Sequence, residues 1–324
     1  GVMRVAAIDC GTNTLRLFVG TLDADGFLRE LDRRLTFVGL GEGVDATGRF
    51  APDALRRAFR ACEQYAEIIA DLDCSRTRFV ATSATRDAVN REEFFAGVRA
   101  RMGIEPEVIS GVEESELSFA GAVNGIRCPR NPVLVMDSGG GSTELVLGMD
   151  EPSAAISLDT GSVRITERFL SSGVTVGAEA AARAEVRGLL DDAERVVDLS
   201  APGRLVGLAG TITTVTAHAL GLQGFDPQAL GGAELSPQVV LASCEAIVHS
   251  TAEQRASWGY LAPGRRDVIA AGALVWSEVV TRVVERTTAA GRPLERVTTS
   301  LYDILDGIAL SLVPAQAGPE GDEV

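Results

Sequence analysis

The chain has 324 residues, 46% of them hydrophobic, and a formal net charge of −15. That length and apolar content suit one large core or two ordinary ones, and the length favours two domains. The acidic balance excludes a broad basic face for nucleic acid, and because all 30 basic residues are arginine a Walker-type G-K-[ST] loop and a lysine Schiff base are excluded too.

In chain order, residues 4–8, 15–20 and 27–38 predict three strands, with a tight loop over 9–13. Residues 52–72 carry Leu55, Phe59, Cys62, Ala66 and Ile69 near helical spacing, with proline in the first turn. A strand over 78–82, a helix over 92–102, a strand over 107–109 and a helix over 113–123 follow. Residues 124–132, with Gly125, Pro129 and Pro132, are the best linker. Beyond it, strands are predicted over 133–136, 144–148, 154–158 and 206–208. Helices are predicted from Thr211 and over 237–249, 267–284 and 303–312. The polar residues 314–324 read as a flexible tail.

The opening recurs after the linker. Asp9-Cys10-Gly11 and Asp137-Ser138-Gly139 each follow an apolar strand and precede a Gly/Thr/Ser-rich turn, 128 positions apart (137 minus 9). Two copies of one βαβ-like unit are implied, with the two aspartate turns facing each other across a cleft.

The first turn offers the carboxylate of Asp9, the close backbone approach that Gly11 permits, and donors on Thr12, Asn13 and Thr14. It suits a phosphate beside a metal, or an ordinary hairpin turn. The second turn is more telling. Gly139, Gly140 and Gly141 weaken a strand junction unless a ligand or backbone must come close, Ser142 and Thr143 add hydroxyls, and Asp137 and Glu144 flank them with hard oxygens of the kind Mg²⁺ takes. A third loop, with Gly210 and Thr211, stands at a helix N-terminus, where free N–H groups favour an anion. Glu113 and Glu114 open another helix, and at most one of them can enter a cleft. Arg86 could fork onto a phosphate or pair with a surface acid.

His218 and His249 are the only histidines, which excludes a histidine-rich metal centre. Cys10, Cys62, Cys74, Cys128 and Cys244 are scattered and odd in number, so they read as core thiols. No apolar run is long enough for a membrane span and no signal-peptide pattern opens the chain, so a cytoplasmic location is the default expectation. Gly1-Val2 ahead of Met3 reads as an expression scar.

Together, residues 9–14, 82–90, 109–114, 137–144, 157–167 (SLDTGSVRITE), 207–214 and 266–272 (RDVIAAG) resemble, in order and spacing, the exopolyphosphatase and guanosine pentaphosphate phosphohydrolase (Ppx/GppA) family. The resemblance spans roughly residues 3–312. It implies an α/β fold of two ribonuclease H-like domains of the actin, sugar kinase and heat-shock chaperone ATPase superfamily. The first would hold residues 1–126 with a returning helix over 303–313, and the second 127–302.

By position it makes Glu114 the general base, places Asp137 and Glu144 at Mg²⁺ (or Mn²⁺) with Asp9 nearby, and gives the glycine loops to substrate phosphates. The implied substrate is polyphosphate or guanosine pentaphosphate, with no nucleic acid or membrane partner and a homodimer as the assembly left open. The competing expectations are a non-catalytic polyphosphate or alarmone sensor and an ATP-dependent phosphotransferase of the same superfamily. Two departures stand out. Glu116 replaces a basic residue in E-E-A-R-L, and Gly39 replaces the arginine of R-L-G, so positive charge is expected to be missing near the substrate path.

Overall fold

The computed structural model describes residues 3–22, 28–124 and 131–314. The N-terminal dipeptide, Phe27 of the third predicted strand, Cys128, most of the expected linker and nearly all of the expected tail lie outside the described residues.

Two mixed sheets form the frame. The first is built from β1 (Arg4–Cys10), β2 (Thr14–Leu22), β3 (Leu28–Phe37), β4 (Arg76–Ala81) and β5 (Pro106–Val108), in the order β3-β2-β1-β4-β5. The second uses β6 (Val133–Ser138), β7 (Thr143–Gly148), β8 (Pro152–Leu158), β9 (Arg204–Leu208), β10 (Glu234–Leu235) and β11 (Val297–Thr299), in the order β10-β11-β9-β6-β7-β8. Central strands have helices on both faces and so read as unbroken apolar runs: every residue from Val5 to Cys10 in β1 and every residue of β6 is buried. The edge strand β3 is instead mostly exposed.

In each sheet an antiparallel hairpin is followed by a parallel crossover strand. β1 pairs antiparallel with β2 and parallel with β4, while β6 pairs antiparallel with β7 and parallel with β9. The duplication read from the two aspartate turns is therefore a duplication of topology.

The outer face of the first sheet packs on the helices Pro52–Asp71 and Arg91–Met102, through Leu55, Cys62, Phe79 and Phe94. The second sheet packs on Val176–Ala193, Pro237–Val248 and Ile269–Ala289. Cys10, Cys62 and Cys244 are buried and Cys74 half-buried, as expected of core thiols. The helix Val176–Ala193 is absent from the sequence expectations. Its buried stripe is thin, made of Ala182, Val186, Leu190 and Ala193, and gives little amphipathic signal.

Between the two sheets lies the helix Gly111–Val123. It gives Leu117 to a cluster with Ala7, Phe18 and Val80 of the first sheet, and Phe119 and Ala122 to a cluster with Val135, Val146 and Val206 of the second. The helix Ile304–Ser311 clamps it. A Cβ on Gly121 would fall 1.9 Å from the carbonyl oxygen of Asp303, and one on Gly307 would fall 1.9 Å from that of Leu117. Both positions must be glycine for the helices to cross this closely. A capping box starts the clamping helix, with Asp303 accepting from Leu305 N–H at 2.9 Å and Asp306 accepting from Asp303 N–H at 2.9 Å. Among the described residues no helix is long and apolar enough to cross a membrane.

Candidate active site

The hairpin register sets the site. In β1/β2 Asp9 faces Arg16, and in β6/β7 Asp137 faces Glu144. The turns close in the same way, Gly11 N–H donating to Thr14 O at 3.0 Å and Gly139 N–H to Ser142 O at 3.0 Å. They meet face to face. A Cβ on Gly141 would sit 2.6 Å from Thr12 Oγ1 and 2.6 Å from Ser83 Oγ, so the glycines are what let the two turns touch.

Between the turns is a small cleft of about 80 Å³. Of the predicted residues it is lined by Asp9, Gly11, Thr12, Asn13, Thr14, Glu114, Asp137, Gly139, Gly140, Gly141, Ser142, Gly210 and Thr211. Thr143, Glu144 and Arg86 are not on its wall. The Thr143 hydroxyl donates to Thr160 O at 3.0 Å inside the core, because its strand position points away from the turn. Arg86 has both terminal nitrogens 3.0 Å from Oε1 of Glu114, and one also donates to Ile109 O at 2.9 Å. It lies behind the carboxylate. The two departures also miss the cleft: Glu116 is exposed on the far side of its helix, and Gly39 turns the chain at φ 59°.

Beneath the second turn three buried carboxylates converge. Glu114, Asp137 and Glu144 each offer an oxygen within 4.8 Å of the others. Ser118 Oγ donates to Asp137 Oδ2 at 2.6 Å, and Ser157 Oγ to Glu144 Oε2 at 2.5 Å. Ser110, the N-cap of the Gly111–Val123 helix, accepts from Glu113 N–H at 3.1 Å, so the helix starts where Glu114 points inward.

Burial raises the pKa of all three acids. The Glu114 charge helps to push Asp137 up to about 7, and Glu144 is driven well up by burial and by its two neighbours. Three carboxylates so close cannot all be ionised without protons or a cation among them. Asp9 stands outside this group. Arg16 binds it at 2.8 Å and Asp303 at 2.7 Å, and burial still raises the Asp9 pKa against the pull of Arg16.

Three arginines of the site have no assigned role in the sequence reading. Arg16 sits in β2 seven residues after Asp9, the offset that separates Glu144 from Asp137, and that offset could have flagged it. Arg164, inside the SLDTGSVRITE stretch, ties the second turn to the first half: Nε donates to Gly141 O at 2.9 Å while the terminal nitrogens reach Asp45 at 2.8 Å and Asp87 at 2.9 Å. Arg265 lines the cleft from a loop that carries no pattern.

The Ppx/GppA phosphatase family pattern matches residues 22–290. Exopolyphosphatase 2 of Mycobacterium tuberculosis is 45% identical over 318 residues, covering 95% of this chain and 98% of that protein. The chain belongs to the Ppx/GppA phosphatase family. Among solved Ppx/GppA-type structures, an exopolyphosphatase-like protein superposes with a TM-score of 0.91 at 41% identity, covering 96% of this chain and 97% of the other. The Aquifex aeolicus Ppx/GppA family member gives 0.77 at 27% identity over 96% and 97%. The α/β fold is that of the actin-like ATPases.

Proposed function

We propose that this Ppx/GppA protein releases terminal orthophosphate from inorganic polyphosphate, using water activated by Glu114 and a divalent cation held by Asp137 and Glu144. The observation that carries the reading is the convergence of three buried carboxylates at a cleft walled by two glycine-rich turns. The name of the mycobacterial relative, an exopolyphosphatase, supports it. The donor set fits the ion: hard oxygens of Asp137 and Glu144, anchored by Ser118 and Ser157, with the one neighbouring guanidinium, Arg86, taken up by Glu114. When bound, Mg²⁺, or Mn²⁺ in its place, would neutralise charge on phosphate oxygens.

The glycine turns and the hydroxyls of Thr12 and Ser142 hold the terminal phosphate, since phosphoryl transfer needs positioning more than covalent chemistry. Glu114 takes a proton from water as the water oxygen bonds to the terminal phosphorus. The bridging P–O bond breaks, its electron pair leaves on the shortened chain, and orthophosphate is released. Arg86 is a positioning residue: both its terminal nitrogens hold Oε1 of Glu114 and fix the carboxylate. The base keeps proton affinity because burial outweighs the guanidinium.

Glu114→Gln should cut phosphate release from polyphosphate by about 10²–10⁴-fold while the substrate still binds. Undiminished release would refute the assignment, and binding with no turnover in the wild type would favour the sensor. Guanosine pentaphosphate is a second substrate within this reading, favoured by a partly aromatic cavity of about 580 Å³ that adjoins the cleft at Arg16, Gly210 and Arg265. The packing of the Ile304–Ser311 helix on the first sheet supports two domains, 1–126 with 303–313 and 127–302, hinged about the cleft.

A further inference from the structure

The second glycine turn is gripped from behind. The carbonyl of Gly139 accepts from Ser162 N–H at 3.1 Å, and that of Gly140 from the N–H groups of Val163 at 2.9 Å and Arg164 at 3.1 Å. The next carbonyl, of Gly141, accepts from Nε of the Arg164 side chain at 2.9 Å. The approach is close: a Cβ on Gly161 would fall 2.4 Å from Gly140 O and 2.6 Å from Gly139 O.

In a trans peptide the C=O and the following N–H point in opposite directions, and the described residues contain no cis peptide. Three carbonyls drawn to residues 161–164 therefore turn the N–H groups of Gly140, Gly141 and Ser142 the other way, toward the cleft that these residues line. None of these N–H groups donates to any described residue. Successive free amides of this kind form a concave seat for an anion, and the hydrolytic reading above puts the terminal phosphate there.

The Gly141–Ser142 peptide differs from its neighbours in what holds it. Its carbonyl depends on a side chain, and that side chain is anchored across the molecule. The Arg164 guanidinium belongs to a residue only 9% exposed and donates to Asp45 at 2.8 Å, Asp87 at 2.9 Å and Ser83 Oγ at 3.3 Å. These partners lie in two short helices of the first half, Val44–Thr47 and Ser83–Asp87. Neither the two acids nor Arg164 lines the cleft. In the first turn, by contrast, the carbonyls of Thr12 and Asn13 are held by backbone N–H groups of Gly41, Val38 and Gly39, all within the same half.

We infer that Arg164 is a positioning residue for phosphoryl transfer: it aims the Ser142 N–H at the terminal phosphate, and does so only while Asp45 and Asp87 hold its guanidinium. The inference rests on the hydrolytic reading for what the seat holds, and adds that the grip of one turn is set from the other half of the molecule. Releasing the acids frees the guanidinium, and the Gly141–Ser142 peptide loses its fixed direction without any change in the residues that line the cleft.

Tripolyphosphate hydrolysis with Mg²⁺ and thermal melts test this on wild type, Arg164→Met, Arg164→Lys and an Asp45→Asn/Asp87→Asn double variant. Arg164→Met should raise KM about tenfold, the worth of one hydrogen bond to a charged group, and lower kcat less. Lysine keeps the charge near the two acids but lacks the planar fork that reaches the carbonyl at the same time. Arg164→Lys should therefore recover melting temperature and not KM. The double variant leaves the Arg164 side chain in place and should also raise KM, which decides the matter if Arg164→Met does not fold. An unchanged KM in either folded protein overturns the inference, as does a KM that returns together with melting temperature in Arg164→Lys, the mark of a purely structural role. Calorimetric titration of tripolyphosphate into Glu114→Gln, with and without Arg164→Met, separates this from the parent reading. Absence of turnover in the wild type refutes hydrolysis, whereas equal affinities in the two titrated proteins refute the role of Arg164 and a weakened Arg164→Met protein supports it.

Discussion

The two hairpins share a register and end in opposite chemistry. Asp9 faces Arg16 in the first, and Asp137 faces Glu144 in the second, at the same spacing and below turns closed by the same backbone bond. The first aspartate is neutralised by protein, and its arginine reaches on to Asp303 of the clamping helix. The second meets two more carboxylates and no arginine of its own. A duplicated scaffold has thus been divided into a structural half, stapled shut by charge pairing, and a reactive half whose excess negative charge calls for a cation. One residue, arginine or glutamate at the seventh place after the aspartate, makes that difference.

The comparison can be broken at its structural side first. Arg16→Met strands Asp9 and Asp303 as buried charges, and removing one partner of a buried pair costs about 3–5 kcal/mol. Chemical denaturation should show a loss of that order, and a loss below about 1 kcal/mol, the worth of an exposed pair, would mean that the staple is idle.

The reactive side is sharpened by pH. Asp137 has its folded pKa raised to about 7 from an ordinary 3.8. Its contribution to stability is therefore fully present below the lower value and is lost as pH rises through about 7. Metal-free protein should melt progressively lower as pH climbs from about 5 to 8, and Mg²⁺ should flatten that slope while EDTA restores it. A slope indifferent to the cation would argue against the proposed ligands.

The smallest effect concerns the crossover loops. The chain leaves β4 at Thr82 with φ −120°, but leaves β9 at Ala209 with φ 81° and ψ 179°, a region that L residues rarely adopt. Such strain costs on the order of 1–3 kcal/mol and collects at functional sites. Ala209→Gly should raise stability by about 1 kcal/mol in thermal melts, and a neutral or lower stability would show that the neighbouring packing relieves the strain.

The sequence made the hairpins legible because their cause is local: an apolar run, an aspartate and a glycine turn, written twice. The sense of the acidic cluster was half legible. Asp137 and Glu144 flank a visible turn, but Glu114 reaches them only through the crossing at Gly121 and Gly307, which no local pattern announces. Its role entered through family resemblance. Arg16 was hidden because a single arginine in an apolar strand reads as an outward-facing residue. Arg265 was hidden because its partners, Gly210 and Phe37, lie far away in sequence. Arg86 reads from sequence as a fork for phosphate or a surface ion pair, and its pairing with Glu114 is not legible because proximity to a strand end does not say which face a short helix presents.

The close helix crossing also bears on the order in which the protein assembles. The hairpins of β1/β2 and β6/β7 close over short loops and can form early, whereas the helix that carries Glu114 is seated only when Asp303 and Gly307 return from beyond the entire second sheet. The turns that cradle phosphate are thus built from neighbours in the chain, while the mount of the carboxylate beneath them waits for contacts from the far end of the chain. A folding intermediate with both turns formed would be able to grip a phosphate before it could cleave one.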